Sequence, residues 1–129
     1  MSALHSATSE AATDPNASLE LLEKLTDQFG GDDAFAKQIL QVMRETLPGQ
    51  IEKLQAASTK RDFQQIANIA HQIKGAAGDS CLTAVHQTAT ELEQVAVAED
   101  DSKVPLTVAT LSRRSLETIE LIEDLIALN

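Results

Sequence analysis

Aromatic side chains are scarce in this 129-residue chain, making up 2% of it, and Trp and Tyr are both absent. Sheets rely on aromatic and β-branched residues, whereas hydrophobic residues reach 43% here and are mostly Ala, Leu, Ile and Val, which suits packed helices. No stretch alternates between apolar and polar residues, so we predict no sheet. The length fits one domain.

Cysteine is nearly missing as well. The single thiol, Cys81, cannot form a disulfide within the chain, which excludes a disulfide-stapled secreted scaffold. The first 16 residues have neither a basic start nor an apolar run, so they do not read as a secretory signal, and no later run is long enough to cross a membrane. We therefore expect a cytoplasmic protein.

Basic residues are outnumbered: 10 Lys and Arg face 20 Asp and Glu, and the formal net charge is -10. Repulsion from phosphate backbones and anionic lipids argues against nucleic acid and membrane partners. The charge is explained by solubility, and it also suits a partner with a basic docking face.

Motifs for metal or nucleotide chemistry are missing. None of the three histidines, His5, His71 and His86, pairs with another His or with Cys at ligand spacing, so we predict no metal site. There is no nucleophile-elbow motif and no glycine-rich nucleotide loop. The chain therefore shows no means of binding ATP, and we predict no kinase activity of its own.

Helical periodicity organises most of the sequence. Residues 1–16 lack any period and predict a flexible tail, and a single domain is expected at 17–129. Ser18 is a candidate cap for a short first helix that ends at Gly30 and Gly31. Four longer helices follow, joined by short loops. We predict an all-α, up-down antiparallel four-helix bundle, with the short N-terminal helix across one end.

The helix boundaries and the core can also be predicted. Asp32 or Asp33 should cap the second helix, Asp62 the third, and Asp79 or Ser80 the fourth, while Pro48 predicts a kink or a break in the second. The predicted core positions are Leu19, Leu22, Leu25, Phe35, Ile39, Val42, Met43, Leu47, Ile51, Leu54, Phe63, Ile66, Ala70, Ile73, Ala77, Leu82, Val85, Ala89, Leu92, Ala96, Leu111, Leu116, Ile119, Ile122 and Ile126.

One face of the third helix carries the groups most suited to chemistry. At 100° per residue, Ala67, His71, Lys74, Gly75 and Gly78 lie together beside the core stripe. His71 should then be open to solvent, with Lys74 one turn onward. Gly75 costs roughly 1 kcal/mol relative to alanine inside a helix, and a surface that admits another protein's backbone would explain that cost.

A carboxylate on the fourth helix is a candidate partner for the imidazole. Glu93 follows the core position Leu92, and if the two helices align it would accept the Nδ1 proton of His71 and leave Nε2 as a nucleophile. Simpler interpretations exist for each residue. A helical histidine is often only a surface residue, Lys74 an ordinary solvated charge, and Gly75 a site of close helix packing.

The segment A-H-Q-I-K-G-A-A at positions 70–77, followed by Leu92-Glu93, resembles the signature of histidine-containing phosphotransfer (HPt) domains. The resemblance extends from about Phe35 to the end of the fourth helix. It implies a four-helix bundle with an extra N-terminal helix. One departure is Cys81, which stands where the family usually has a turn glycine, and we expect Gly78 to serve in its place.

The resemblance also implies a function, a phosphorelay carrier rather than an enzyme. His71 would accept a phosphoryl group from a receiver-domain aspartate, Lys74 would neutralise it, and Glu93 would orient the imidazole. The partners would be response-regulator receiver domains and a hybrid sensor histidine kinase; Mg²⁺ would come from the receiver, and no cofactor is expected here. We expect a monomer whose docking face comprises Gln64, Ala67, Asn68, Gln72, Gly75 and Gly78.

Two other functions remain open at this point. The chain could be a helical interaction protein that binds a receiver or a kinase without being phosphorylated. It could also be an enzyme that uses His71 and Glu93 as acid and base, although no motif indicates a substrate pocket.

Overall fold

Five helices make up the structure, a computed structural model that describes residues 15–127. They are α1 (Pro15–Gln28), α2 (Asp33–Thr59), α3 (Phe63–Asp79), α4 (Thr83–Val97) and α5 (Lys103–Ala127). No strand occurs in this part of the chain. The helices α2 to α5 each pack against the next, α5 closes the bundle against α2, and α1 lies against α2 and α5. The predicted all-α bundle with an added N-terminal helix is confirmed.

The first four helices all end in the same tight turn. In each turn, a backbone N–H returns to the carbonyl five residues earlier, which satisfies a carbonyl that the helix leaves open. These bonds are Gly31 to Thr26 (2.9 Å), Asp62 to Ala57 (3.0 Å), Leu82 to Ala77 (2.9 Å) and Asp100 to Val95 (2.9 Å). The residue before each donor has a positive φ: Gly30 at 70°, Arg61 at 56°, Cys81 at 59° and Glu99 at 54°. Only the first turn uses glycine there.

Two of the predicted helix caps are present. Asp32 accepts a hydrogen bond from the N–H of Phe35 at 3.0 Å, and Asp62 accepts one from Gln65 at 3.1 Å. The prediction that Asp79 or Ser80 caps α4 is wrong. Helix α3 runs to Asp79, and Ser80 ends it; the residue before α4 is Leu82, which has no capping side chain.

The predicted start of α1 is also wrong. The helix begins at Pro15, a position where a missing N–H costs nothing, and Ser18 lies within it. Ser18 is fully buried, and its hydroxyl donates to the carbonyl of Leu121 at 3.2 Å, so it ties α1 to α5. Residues 15 and 16 of the predicted tail belong to this helix, and its residues 1–14 lie outside the described part of the chain.

Helix α2 passes through Pro48 without breaking. Leu47 and Ile51 flank this proline and are both buried, so packing on each side keeps the helix continuous. The full break considered for Pro48 therefore does not occur, and the kink stays a prediction.

The core consists mostly of aliphatic side chains and includes most of the predicted positions. Four of those positions are wrong, because Leu19, Phe35, Val42 and Leu116 are exposed. On α2, Ala36 and Leu40 point inward in place of Phe35 and Val42. Spacing alone does not distinguish an apolar residue beside the core stripe from one within it. The packing of neighbouring helices decides which side of a helix faces inward.

Candidate functional site

His71 lies on the side of α3 that faces away from the core of the bundle. The predicted stripe of Ile66, Ala70, Ile73 and Ala77 is fully buried, which fixes the rotation of the helix about its axis. The imidazole is consequently left at the surface, with 66% of its side chain exposed. An accessible ring can meet a reacting group on another protein.

The carboxylate of Glu93 reaches from α4 to this ring. Its Oε2 lies 3.0 Å from Nδ1 of His71, and its Oε1 lies 2.7 Å from Nζ of Lys74. The two helices are joined by a short turn, and the residues lie at similar distances from it, about 12 Å along α3 and about 15 Å along α4 at 1.5 Å per residue. The long glutamate side chain bridges the small difference.

The charges around Glu93 keep this carboxylate ionised. The hydrogen bond from the Lys74 ammonium is the largest cause that lowers its pKa below the ordinary value, and the hydrogen bond from His71 lowers it further, while partial desolvation opposes both. A carboxylate is an acceptor only, so a neutral His71 beside it carries its proton on Nδ1. The Nε2 lone pair is then available for attack.

The two glycines of the predicted docking face have different surroundings. A Cβ at Gly75 would meet nothing within 4 Å, so the helix surface is open one turn beyond His71. A Cβ at Gly78 would lie 3.1 Å from Nδ1 of His86. The other docking candidates lie at the surface: Gln64, Asn68 and Gln72 are exposed, and Ala67 is half-buried. Their contact with a partner stays a prediction.

The turn between α3 and α4 is built differently from our expectation. Gly78 lies within α3, so the prediction that it replaces the turn glycine is wrong. Cys81 itself takes the positive φ of 59°. Its thiol donates to Oε1 of Gln28 at 3.0 Å, while Nε2 of Gln28 donates to the carbonyl of Asp79 at 3.1 Å. Gln28 therefore holds both sides of the turn, and the Glu93 contact is made.

The sequence did not lead us to predict the contact that His86 makes with α3. Nδ1 of this residue lies 2.9 Å from the carbonyl oxygen of Lys74. The available signal was its spacing: His86 precedes Glu93 by seven residues, two helical turns, so both lie on the same edge of α4.

The described residues contain neither a grouped set of metal ligands nor a helix suited to span a membrane. Between residues 15 and 127, no three His, Cys, Asp or Glu side chains are grouped so that they could hold a metal ion. None of the helices in this range combines the length and the apolar character needed to cross a membrane.

A family model described as Hpt domain matches residues 38–128, well over half of the chain. Searches of curated proteins and of solved structures returned no significant match. The matched region begins within α2 and includes His71, Lys74 and Glu93. The chain therefore belongs to the Hpt domain family, whose members are phosphocarriers rather than kinases and take part in two-component phosphorelays.

Proposed function

We propose that this chain is a histidine phosphotransfer protein that accepts a phosphoryl group on Nε2 of His71 from a receiver-domain aspartate and passes it to another receiver. The observation that carries the proposal is the 3.0 Å contact between Glu93 Oε2 and Nδ1 of an imidazole that is 66% exposed. This pairing holds one ring nitrogen and leaves the other for a partner.

The transfer step needs only a nucleophile and well-placed charges from this chain. The Nε2 lone pair of His71 attacks the phosphorus of the aspartyl phosphate, a P–N bond forms, and the P–O bond breaks with its electron pair leaving on the aspartate. Such a transfer is in line and loose, so positioning and neutralisation of charge contribute most. The imidazole becomes positively charged, and the Glu93 carboxylate stabilises it.

The ammonium of Lys74 can pair with either of two anionic groups during this step. In the free protein its ammonium binds Glu93 at 2.7 Å. A phosphoryl group on His71 would place negative charge three residues away on the same helix, within reach of a lysine side chain. We propose that the ammonium turns to this group, while Glu93 stays with the imidazolium.

The proposed partners are receiver domains and the receiver-bearing hybrid sensor histidine kinase. Gly75 supports docking over α3, because the open space above it lets another backbone approach His71. The receiver would supply Mg²⁺, so we propose no cofactor for this chain. The net charge of -10 supports our proposal that neither nucleic acids nor membranes are partners. We also propose that the chain is a cytoplasmic monomer.

Incubation with a receiver domain carrying labelled phosphate tests the proposal. We expect acid-labile label on the wild type and on the control His5→Gln, and none on His71→Gln. Label that survives His71→Gln would reject this site. Binding of the receiver without any label on the wild type would favour an interaction protein that is not phosphorylated.

A further inference from the structure

His86 makes a second side-chain contact from α4 to α3. Its Nδ1 lies 2.9 Å from the carbonyl oxygen of Lys74. Because a carbonyl can only accept, Nδ1 carries the proton and donates it. The ring is half-buried between the two helices.

The opposing position on α3 is a glycine that makes room for this ring. A Cβ on Gly78 would lie 3.1 Å from Nδ1 and 3.3 Å from Cε1 of His86, which is closer than side chains normally pack. A glycine within a helix costs roughly 1 kcal/mol relative to alanine. The imidazole that fills its place gives a reason for that cost.

Both contacts from α4 hold the same residue of α3, Lys74. Glu93 binds the ammonium of Lys74. His86, which lies two turns before Glu93 on α4, binds the main-chain carbonyl of the same lysine. A main-chain contact fixes how far α3 can slide along α4, because the carbonyl moves with the helix itself. The flexible Lys74 side chain cannot impose this limit alone.

The turn between α3 and α4 leaves a role for such a contact in aligning the two helices. Helix α4 starts without a capping side chain, and Cys81 holds a positive φ of 59° that a residue with a Cβ adopts at a cost. Gln28 of α1 is the side chain that holds this turn, so side chains that cross directly from α4 to α3 can add to the alignment of the two helices.

We propose that His86 is a positioning residue for phosphotransfer, holding α3 and α4 in the alignment at which Glu93 reaches Nδ1 of His71. This inference rests on the proposed function. His86 does not touch the reacting atoms, and it acts through the Glu93 contact.

Two substitutions of similar shape separate the hydrogen bond from packing. His86→Asn keeps an amide N–H near the place of Nδ1, whereas His86→Leu removes the donor. We expect ¹⁵N NMR of His71 to show the Nδ1–H tautomer in the wild type and in His86→Asn. His86→Leu should shift the tautomer balance toward Nε2–H and slow phosphorylation about threefold to tenfold, the effect of one lost hydrogen bond. An unchanged tautomer and rate in His86→Leu would overturn the proposal.

A double-mutant cycle shows whether His86 acts through Glu93. In a Glu93→Gln background, His86→Leu should slow phosphorylation less than about twofold, because the contact it supports is already weakened. The same fold-loss in both backgrounds would overturn the positioning role and leave a general effect on folding.

Gly78→Ala offers a route that leaves His86 in place. The new methyl should displace the ring and reproduce the tautomer shift of His86→Leu, and an unchanged tautomer would contradict the proposal. Gly49→Ala is the matched control, because a Cβ there meets nothing within 4 Å. The NMR readout needs no phosphoryl donor, so failure of the proposed function, seen as label on His71→Gln, is distinguishable from failure of this inference.

Discussion

Oε2 of Glu93 lies 3.0 Å from Nδ1 of His71, although 22 positions separate the two residues in the chain. The contact joins two helices and selects which nitrogen of the ring is free. The proposed chemistry depends on this selection, because a proton on Nε2 would block attack on phosphorus.

Loss of the Glu93 charge should slow phosphorylation of His71. Glu93→Gln keeps an oxygen that can accept from Nδ1 but removes the charge that stabilises the imidazolium. Charge-assisted hydrogen bonds are about twice as strong as neutral ones, so we expect a rate lower by about tenfold. A time course with a labelled receiver measures the effect. Glu91→Gln, an exposed carboxylate on the same helix, is the control, and equal slowing in both variants would contradict this role.

Loss of the Lys74 ammonium should also slow phosphorylation. Lys74→Met keeps the length of the side chain but removes the charge that would neutralise the phosphoryl group. A hydrogen bond to a charged group contributes about 1.5–3 kcal/mol, so we expect a loss of roughly tenfold to a hundredfold. Lys103→Met, at an exposed site on α5, should leave the rate unchanged. An unchanged rate in Lys74→Met would remove Lys74 from the mechanism.

The Glu93 pairing should stabilise the fold only above acidic pH. The folded-state pKa of Glu93 is lowered, chiefly by the hydrogen bond from Lys74, so the unfolded state takes up the proton first. Its contribution to the free energy of unfolding is present above the unfolded-state value, near 4.5, and is lost as pH falls through the lowered folded-state pKa.

Urea unfolding at two pH values measures this contribution. Glu93→Gln should be less stable than the wild type at pH 7, and the difference should shrink at pH 3. Glu91→Gln should show no such trend. A stability difference that stays constant between the two pH values would contradict the expected linkage.

The turn after α4 should be improved by glycine. Glu99 has a φ of 54°, a conformation that costs a residue with a Cβ about 1–2 kcal/mol. We expect Glu99→Gly to raise the free energy of unfolding by about 1 kcal/mol, measured by urea denaturation. Gly30→Ala introduces the opposite change at a φ of 70° and should lower it by a similar amount. A destabilised Glu99→Gly would show that the exposed side chain matters more than the backbone.

Much of the fold followed from local sequence alone. The spacing of apolar residues predicted the helices, Asp32 and Asp62 were identified as caps, and the stripe beside His71 placed this ring at the surface. These features depend on neighbours within one or two helical turns. The period indicates roughly how each helix is rotated about its axis, but for residues at the edge of the apolar stripe, such as Phe35 and Val42, the packing of neighbouring helices decides the assignment.

Only the tertiary structure determined how far each helix is shifted along the axis of its neighbour. The sequence did not fix whether Glu93 would reach His71, or that His86 would bind the carbonyl of Lys74. Such an offset depends on turns such as that at Cys81 and on side chains that cross between helices. The apolar period is the same wherever a neighbouring helix slides along its axis, so the apolar spacing within one helix does not show which of its residues meet residues of another helix.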